Sequence, residues 1–236
     1  MSIEKDIKRE LMTLVDLEYK KGSCNFFKKY DEINIMGVRY PKIREIANKY
    51  WKEKVSKLDK KDVFKICSEL LESKNHEEII VAFQFIEWYK DKFVESDFEL
   101  FKKWIEKYIT NWASCDDFCC GAFGEFLMKY PLFVSEVRKW WNSKNRWLKR
   151  ASIVGLIRTV QKTGKTDDVY KVADLLLADR DDLIQKGSGW TLREAGKKDM
   201  QRLHKYVMLN KEKMGRTCLR YSIEKFDAKE RKRLMK

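Results

Sequence analysis

Three observations predict an all-α protein. The 236 residues include only two prolines and ten glycines, too little punctuation for the many turns of a β fold. Apolar residues recur at helical spacing along nearly the whole chain. Short polar breaks divide the pattern into stretches of roughly 10 to 18 residues, and none reads as a strand. Hydrophobic residues make up 44% and charged residues 37%, the balance of a folded chain with many solvated helix faces. The length suffices for a substantial core, and residues 1–236 read as a single domain.

Ile3, Ile7, Leu11, Leu14 and Val15 mark the apolar stripe of a first helix that closes near Lys20–Lys21–Gly22. Gly37 permits a turn, and Pro41 suits the first turn of a helix burying Ile43, Ile46, Ala47 and Tyr50. Asp59 is placed to cap a helix carrying Val63, Ile66, Leu70 and Leu71, which ends near Ser73–Asn75. The next is expected from His76 to Phe93, with Ile79, Ile80, Phe83, Ile86 and Tyr89 buried, and Ser96 opens another that runs to Tyr108. Further helices are expected over 116–130, 132–142, 145–163, 166–178, 181–197, 199–212 and 215–225, before a basic tail, Lys229–Lys236. Helix pairs recurring about every 35–40 residues give the rhythm of an α-solenoid of HEAT-like repeats, an α–α superhelix, in preference to a compact bundle. Such stacks curve, so a concave basic groove is expected.

Lys and Arg number 51 against 37 Asp and Glu, a net charge of +14. That excess favours polyanionic partners, nucleic acid before an anionic membrane surface. No apolar run approaches the roughly 18 residues that span a bilayer, and the N-terminus does not resemble a signal peptide. A cytoplasmic protein acting as a monomer is expected. The six cysteines, Cys24, Cys67, Cys115, Cys119, Cys120 and Cys218, then read as reduced core thiols. Cys115 and Cys119 lie one helical turn apart, but no second pair completes a site, so neither metal nor cofactor is expected.

Chemistry is concentrated between Asn111 and Arg150. This stretch holds Trp112, Trp140, Trp141 and Trp147, and the acidic pair Asp116–Asp117 follows the first of them. No acid appears between Glu136 and Asp167, where Arg138, Lys139, Lys144, Arg146, Lys149, Arg150, Arg158, Lys162 and Lys165 lie. Tryptophan interleaved with cations is more than a solvated face requires, although most of the eight tryptophans should pack in or against the core. Trp112 and Asp116 are spaced i, i+4 and share a face on a continuous helix. If the helix begins only near Ser114 or Cys115, Asp116 reads instead as a capping acid. Arg146 and Arg150 are likewise one turn apart, and Lys186, Trp190 and Arg193 fall on one face of a later helix.

Four stretches, IMGVRYPKIREIA, NWASCDDFCCGAFGEFLMKYP, NRWLKRASIVGLI and LIQKGSGWTLREAGK, resemble in order and spacing the AlkD-type DNA alkylation-repair glycosylases, which are built from HEAT-like repeats. The resemblance covers nearly the whole chain. It implies that Asp116 is the catalytic aspartate, that Trp112 and Trp190 are active-site tryptophans, and that Arg150 holds the DNA backbone at the lesion. Arg146, Lys149, Lys186 and Arg193 are the further DNA-binding candidates. The chain departs from the family at Asn111 and Ala113, where members often carry a further Trp and an Asp. An N-terminal aromatic is also implied, for which Phe27 and Tyr30 are the candidates.

The chemistry suits these residue types. A purine alkylated at N3 or N7 is already cationic and leaves without protonation. As the glycosidic bond breaks, positive charge moves onto the sugar, where a carboxylate stabilises it and orients water. Tryptophan faces add cation–π attraction, and an arginine anchors phosphate without reading sequence. The expected activity is a monofunctional DNA glycosylase acting on 3-methyladenine and 7-methylguanine in duplex DNA. Asp117, about 100° round the helix from Asp116, is expected to be a silent neighbour. The alternative is a non-catalytic HEAT-like protein that binds distorted or branched DNA, for which a carboxylate among phosphates is only repulsive.

Overall fold

The computed structural model describes residues 2–27 and 33–236. Every regular element among them is helical, in agreement with the expected all-α class; the β feature present is an isolated bridge between Asn34 and Asn75. The chain forms two compact units, Met1–Ala122 and Phe123–Lys236.

The first unit contains α1 (Ile3–Met12), α2 (Leu17–Cys24), α3 (Tyr40–Glu53), α4 (Lys60–Glu72), α5 (His76–Trp88), α6 (Asp97–Tyr108) and α7 (Trp112–Cys120). The expected first helix is divided in two. Asp16 accepts from Tyr19 N at 2.9 Å and starts α2, so Leu14 and Val15 fall in the break and are exposed. Asp59 caps α4 as anticipated, accepting from Asp62 N. The helix expected to reach Phe93 ends at Trp88 and gives way to a 3-10 turn at Lys90–Lys92.

Helix α5 is apolar nearly all round, with residues 77–86 buried, which is why it lies at the centre of the unit against α3, α4 and α7. Phe83 stacks on Phe118 of α7 at 4.7 Å, and Phe118 meets the edge of Phe101 at 5.6 Å. At its N-terminus Glu77 is buried and accepts from the backbone of Met36, Gly37 and Val38 at 2.9, 2.7 and 3.1 Å. Asn34 O also accepts from His76 N at 2.8 Å. These bonds tie the segment before α3 onto α5.

The second unit contains α8 (Ala122–Lys129), α9 (Phe133–Lys139), α10 (Arg146–Val154), α11 (Ile157–Thr163), α12 (Asp167–Leu176), α13 (Asp182–Gly196), α14 (Met200–Asn210), α15 (Arg216–Ser222) and α16 (Ala228–Leu234). Two helices expected to be continuous are broken, 116–130 at Gly121 and 145–163 at Gly155–Leu156. The C-terminal residues form α16 and not merely a basic tail: Asp227 caps it through Glu230 N, and Leu234 is buried. Helix α13 packs against α10, α11, α12, α14 and α15. Its three glycines allow this; a Cβ at Gly189 would lie 2.5 Å from Cβ of Tyr221.

Four of the six cysteines are core thiols as expected, whereas Cys120 is half-buried and Cys24 is exposed. No helix among the described residues is long and apolar enough to cross a membrane.

Candidate functional site

In the first unit the candidate residues are carried by α7. The helix begins at Trp112, because Asn111 caps it, its side chain accepting from Ser114 N at 2.9 Å. Trp112 and Asp116 therefore lie one turn apart on a continuous helix and share a face. Asp116 is well inside the helix and the N-cap is filled, so the capping interpretation of this acid is excluded. The departure at Asn111 thus has a structural role: the residue is buried and starts the helix that bears the site.

Trp112 is half-buried beside an open cavity of about 240 Å³. Phe27 stacks on Trp112 with centroids 5.5 Å apart, and its ring meets that of His76 edge-on at 6.2 Å. Phe27 is thus the N-terminal aromatic at Trp112, and Tyr30 lies outside the described residues. Tyr40 and Ala113 also line the cavity, and the small Ala113 leaves space where a larger side chain would intrude. Burial pushes the His76 imidazole below its ordinary value against the opposing pull of Glu77, so the ring is neutral near pH 7.

Asp117, on the next position of α7, meets different surroundings. Burial, the Glu87 carboxylate and Asp116, in that order, push its carboxyl up to about 7, with Arg44 opposing. Tyr40 is raised by its own burial and by Asp117. Asp117 thus meets surroundings distinct from those of Asp116, although the two are neighbours on α7.

In the second unit, α10 and α13 carry the candidates. Arg146 is partly exposed and pairs with Asp181 at 2.6 Å, while Lys149 pairs with Asp179 at 2.9 Å. One turn beyond Arg146, Arg150 is only 4% exposed and donates Nη1 to the carbonyl of Leu183. Gly187 makes room for it, since a Cβ there would lie 3.1 Å from Arg150 Nη1. On α13, Lys186, Trp190 and Arg193 follow i, i+4, i+7 on one half-exposed face. Lys186 pairs with Asp182 at 2.7 Å and Arg193 with Glu224.

Arg158 of the acid-free stretch similarly pairs with Glu125. That stretch lacks acids in sequence but not in space, because Asp179 and Asp181 come to it from the loop before α13 and Glu125 from α8.

A sequence model described as DNA alkylation repair enzyme matches residues 7–226. The chain belongs to this family. A solved structure described as "Predicted DNA alkylation repair enzyme from Enterococcus faecalis" superposes with a TM-score of 0.79 at 16% identity, over 91% of this chain and 97% of that one. It shows that the two share a fold. No match is found among curated proteins. Membership of the DNA alkylation repair family implies that the chain binds DNA.

Sequence reasoning did not anticipate His76, Tyr40, Glu77 or Glu87 around α7. Glu77 and Glu78 occupy the first turn of α5, an ordinary place for acids, so the sequence carries no signal of their burial.

Proposed function

We propose that this chain is a monofunctional DNA glycosylase that hydrolyses the N-glycosidic bond of cationic N3- and N7-alkylpurines in duplex DNA. The observation that carries the reading is the placing of Asp116 on the face of Trp112, in a helix whose cap is supplied by another residue. Relieved of a capping role, the Asp116 carboxylate serves to stabilise positive charge on the deoxyribose as the alkylated base departs, and to orient the water that attacks C1′. The stacked Phe27–Trp112 pair presents aromatic surface beside it, contributing about 0.5–2 kcal/mol of cation–π attraction.

The basic residues of the second unit act on the DNA backbone. Arg146, Lys149, Lys186 and Arg193 exchange carboxylate partners for phosphates, a swap that conserves charge pairing and reads no sequence. Trp190, half-exposed on the same face as Lys186 and Arg193, offers a further aromatic surface. Arg150, expected to hold the DNA backbone, is instead buried with its guanidinium on the Leu183 carbonyl; it braces α10 against α13 and supports the cations of these helices without reaching a phosphate itself.

Release of 3-methyladenine and 7-methylguanine from methylated duplex DNA tests the proposal. Liberation of free base by the wild-type chain supports it. Tight binding to the same DNA without release would leave the non-catalytic alternative.

A further inference from the structure

Beside the cavity at Trp112, the first unit has a second and wider opening. An open groove of about 650 Å³ runs along α3 to the end of α5, lined by Pro41, Arg44, Glu45, Asn48, Trp51 and Trp88. Trp51 and Trp88 meet there with centroids 5.6 Å apart and planes at 52°. Trp51 is backed by Phe85 at 5.9 Å and by the edge of Tyr89 at 6.4 Å. Both indoles are half-buried, so part of each stays open to the groove. One half-buried tryptophan is ordinary packing. Two that converge on one opening beside a cation make a stacking platform.

The cation is Arg44, which is exposed and, among the described residues, has no hydrogen bond and no carboxylate within ion-pair distance. The acid of the groove, Glu45, is already paired with Lys42 at 2.7 Å. Arg146, Lys149, Lys186 and Arg193 of the second unit, by contrast, each hold a carboxylate. Tyr40 lines the Trp112 cavity and Arg44 lines this groove, so the two openings lie one turn apart on α3, about 5.4 Å along its axis.

We propose that this groove is a second nucleic-acid subsite, which takes one unpaired nucleotide of the bound DNA. Its base stacks on Trp51 and Trp88, and its phosphate pairs with Arg44. In an intact duplex the bases stack on one another and offer only phosphates, which would leave both indoles unused. Because every base has a π face, the subsite reads loss of pairing and not sequence. It requires the DNA binding that the family implies and no step of glycosidic cleavage.

The test is fluorescence anisotropy with the full chain and two undamaged duplexes of one sequence, the first fully paired and the second carrying a single bulged adenine. Wild type should bind the bulged duplex about tenfold more tightly. Trp51→Leu keeps an apolar contact with Phe85 and Tyr89 but has no ring to stack on, so its preference should fall below about twofold. Arg44→Gln, at an exposed side chain, should cost the bulged duplex about threefold more than the paired one. Equal affinity of wild type for the two duplexes, or a preference that survives in Trp51→Leu, would overturn the proposal.

A second measurement does not depend on how the Trp51→Leu chain folds. In wild type carrying 5-fluorotryptophan, the bulged duplex should move the fluorine signals of Trp51 and Trp88, each assigned from its Phe variant, and the paired duplex should leave them in place. Signals that stay put with bulged DNA, or move equally with both duplexes, would overturn the subsite. A chain that passes both tests but releases no alkylated base keeps the subsite and loses the glycosylase reading; excision without either signature does the reverse.

Discussion

Replacing Asp117 with Asn should stabilise the free protein, and by an amount that depends on pH. In the folded chain the carboxyl is pushed up to about 7, against an ordinary 3.8 when unfolded. Between those values the folded state holds a proton that the unfolded state has released, so stability falls as pH rises through the window and is level above it. A gap of about three units corresponds to about 4 kcal/mol at the limit. Asp117 keeps partial exposure to solvent, which lowers the expected effect to about 2 kcal/mol. Asn cannot ionise and is close to isosteric, so it removes the penalty. Urea unfolding of both proteins, at about pH 4 and about pH 8, gives the difference directly. The two should be of similar stability in acid, with the variant ahead by about 2 kcal/mol above neutrality. Stability curves that run parallel across the range would refute the argument.

Three further outcomes are expected. Arg150→Ala should lower unfolding free energy by about 2–3 kcal/mol, because it removes a buried charge-assisted bond and its packing against α13. Trp190→Ala, at a half-exposed position, should leave thermal stability nearly unchanged while slowing excision; a large fall in Tm would instead make Trp190 a packing residue. Asp181→Asn keeps the α13 cap on Leu183 N but removes a carboxylate that competes with phosphate for Arg146, so duplex affinity should rise by up to about fivefold at low salt. Unchanged affinity would remove Arg146 from the DNA contacts.

The helices were legible in the sequence because period, caps and breaks act locally: Asp59 and Pro41 start helices where their chemistry suggests. Boundaries were lost where a tertiary contact overrode local preference. Asp16, bonded to Tyr19 and Arg39, divides the first helix, and Gly121 ends α7 with Glu87 packed against it. At the candidate site, the face shared by Trp112 and Asp116 follows from spacing once the helix start is fixed. Asn111 supplies that start as the cap of α7, a role that a comparison with the family's residues at this position does not reveal. The pairing of the basic stretch with Asp179, Asp181 and Glu125 was invisible, because those partners lie 30 to 35 residues from their cations. Proximity between helices also decides that Asp117 is perturbed, and no helical wheel contains it.

The most direct test of the central claim is single-turnover excision of 7-methylguanine from duplex DNA by Asp116→Asn. The substitution leaves the Asn111 cap of α7 untouched and removes a negative charge from the face of Trp112. Losing one preorganised electrostatic partner should slow excision by about 10²–10³, while DNA affinity holds or rises slightly and the fold is unchanged. Excision at the wild-type rate would show that Asp116 does not stabilise the developing sugar cation, and would contradict the account.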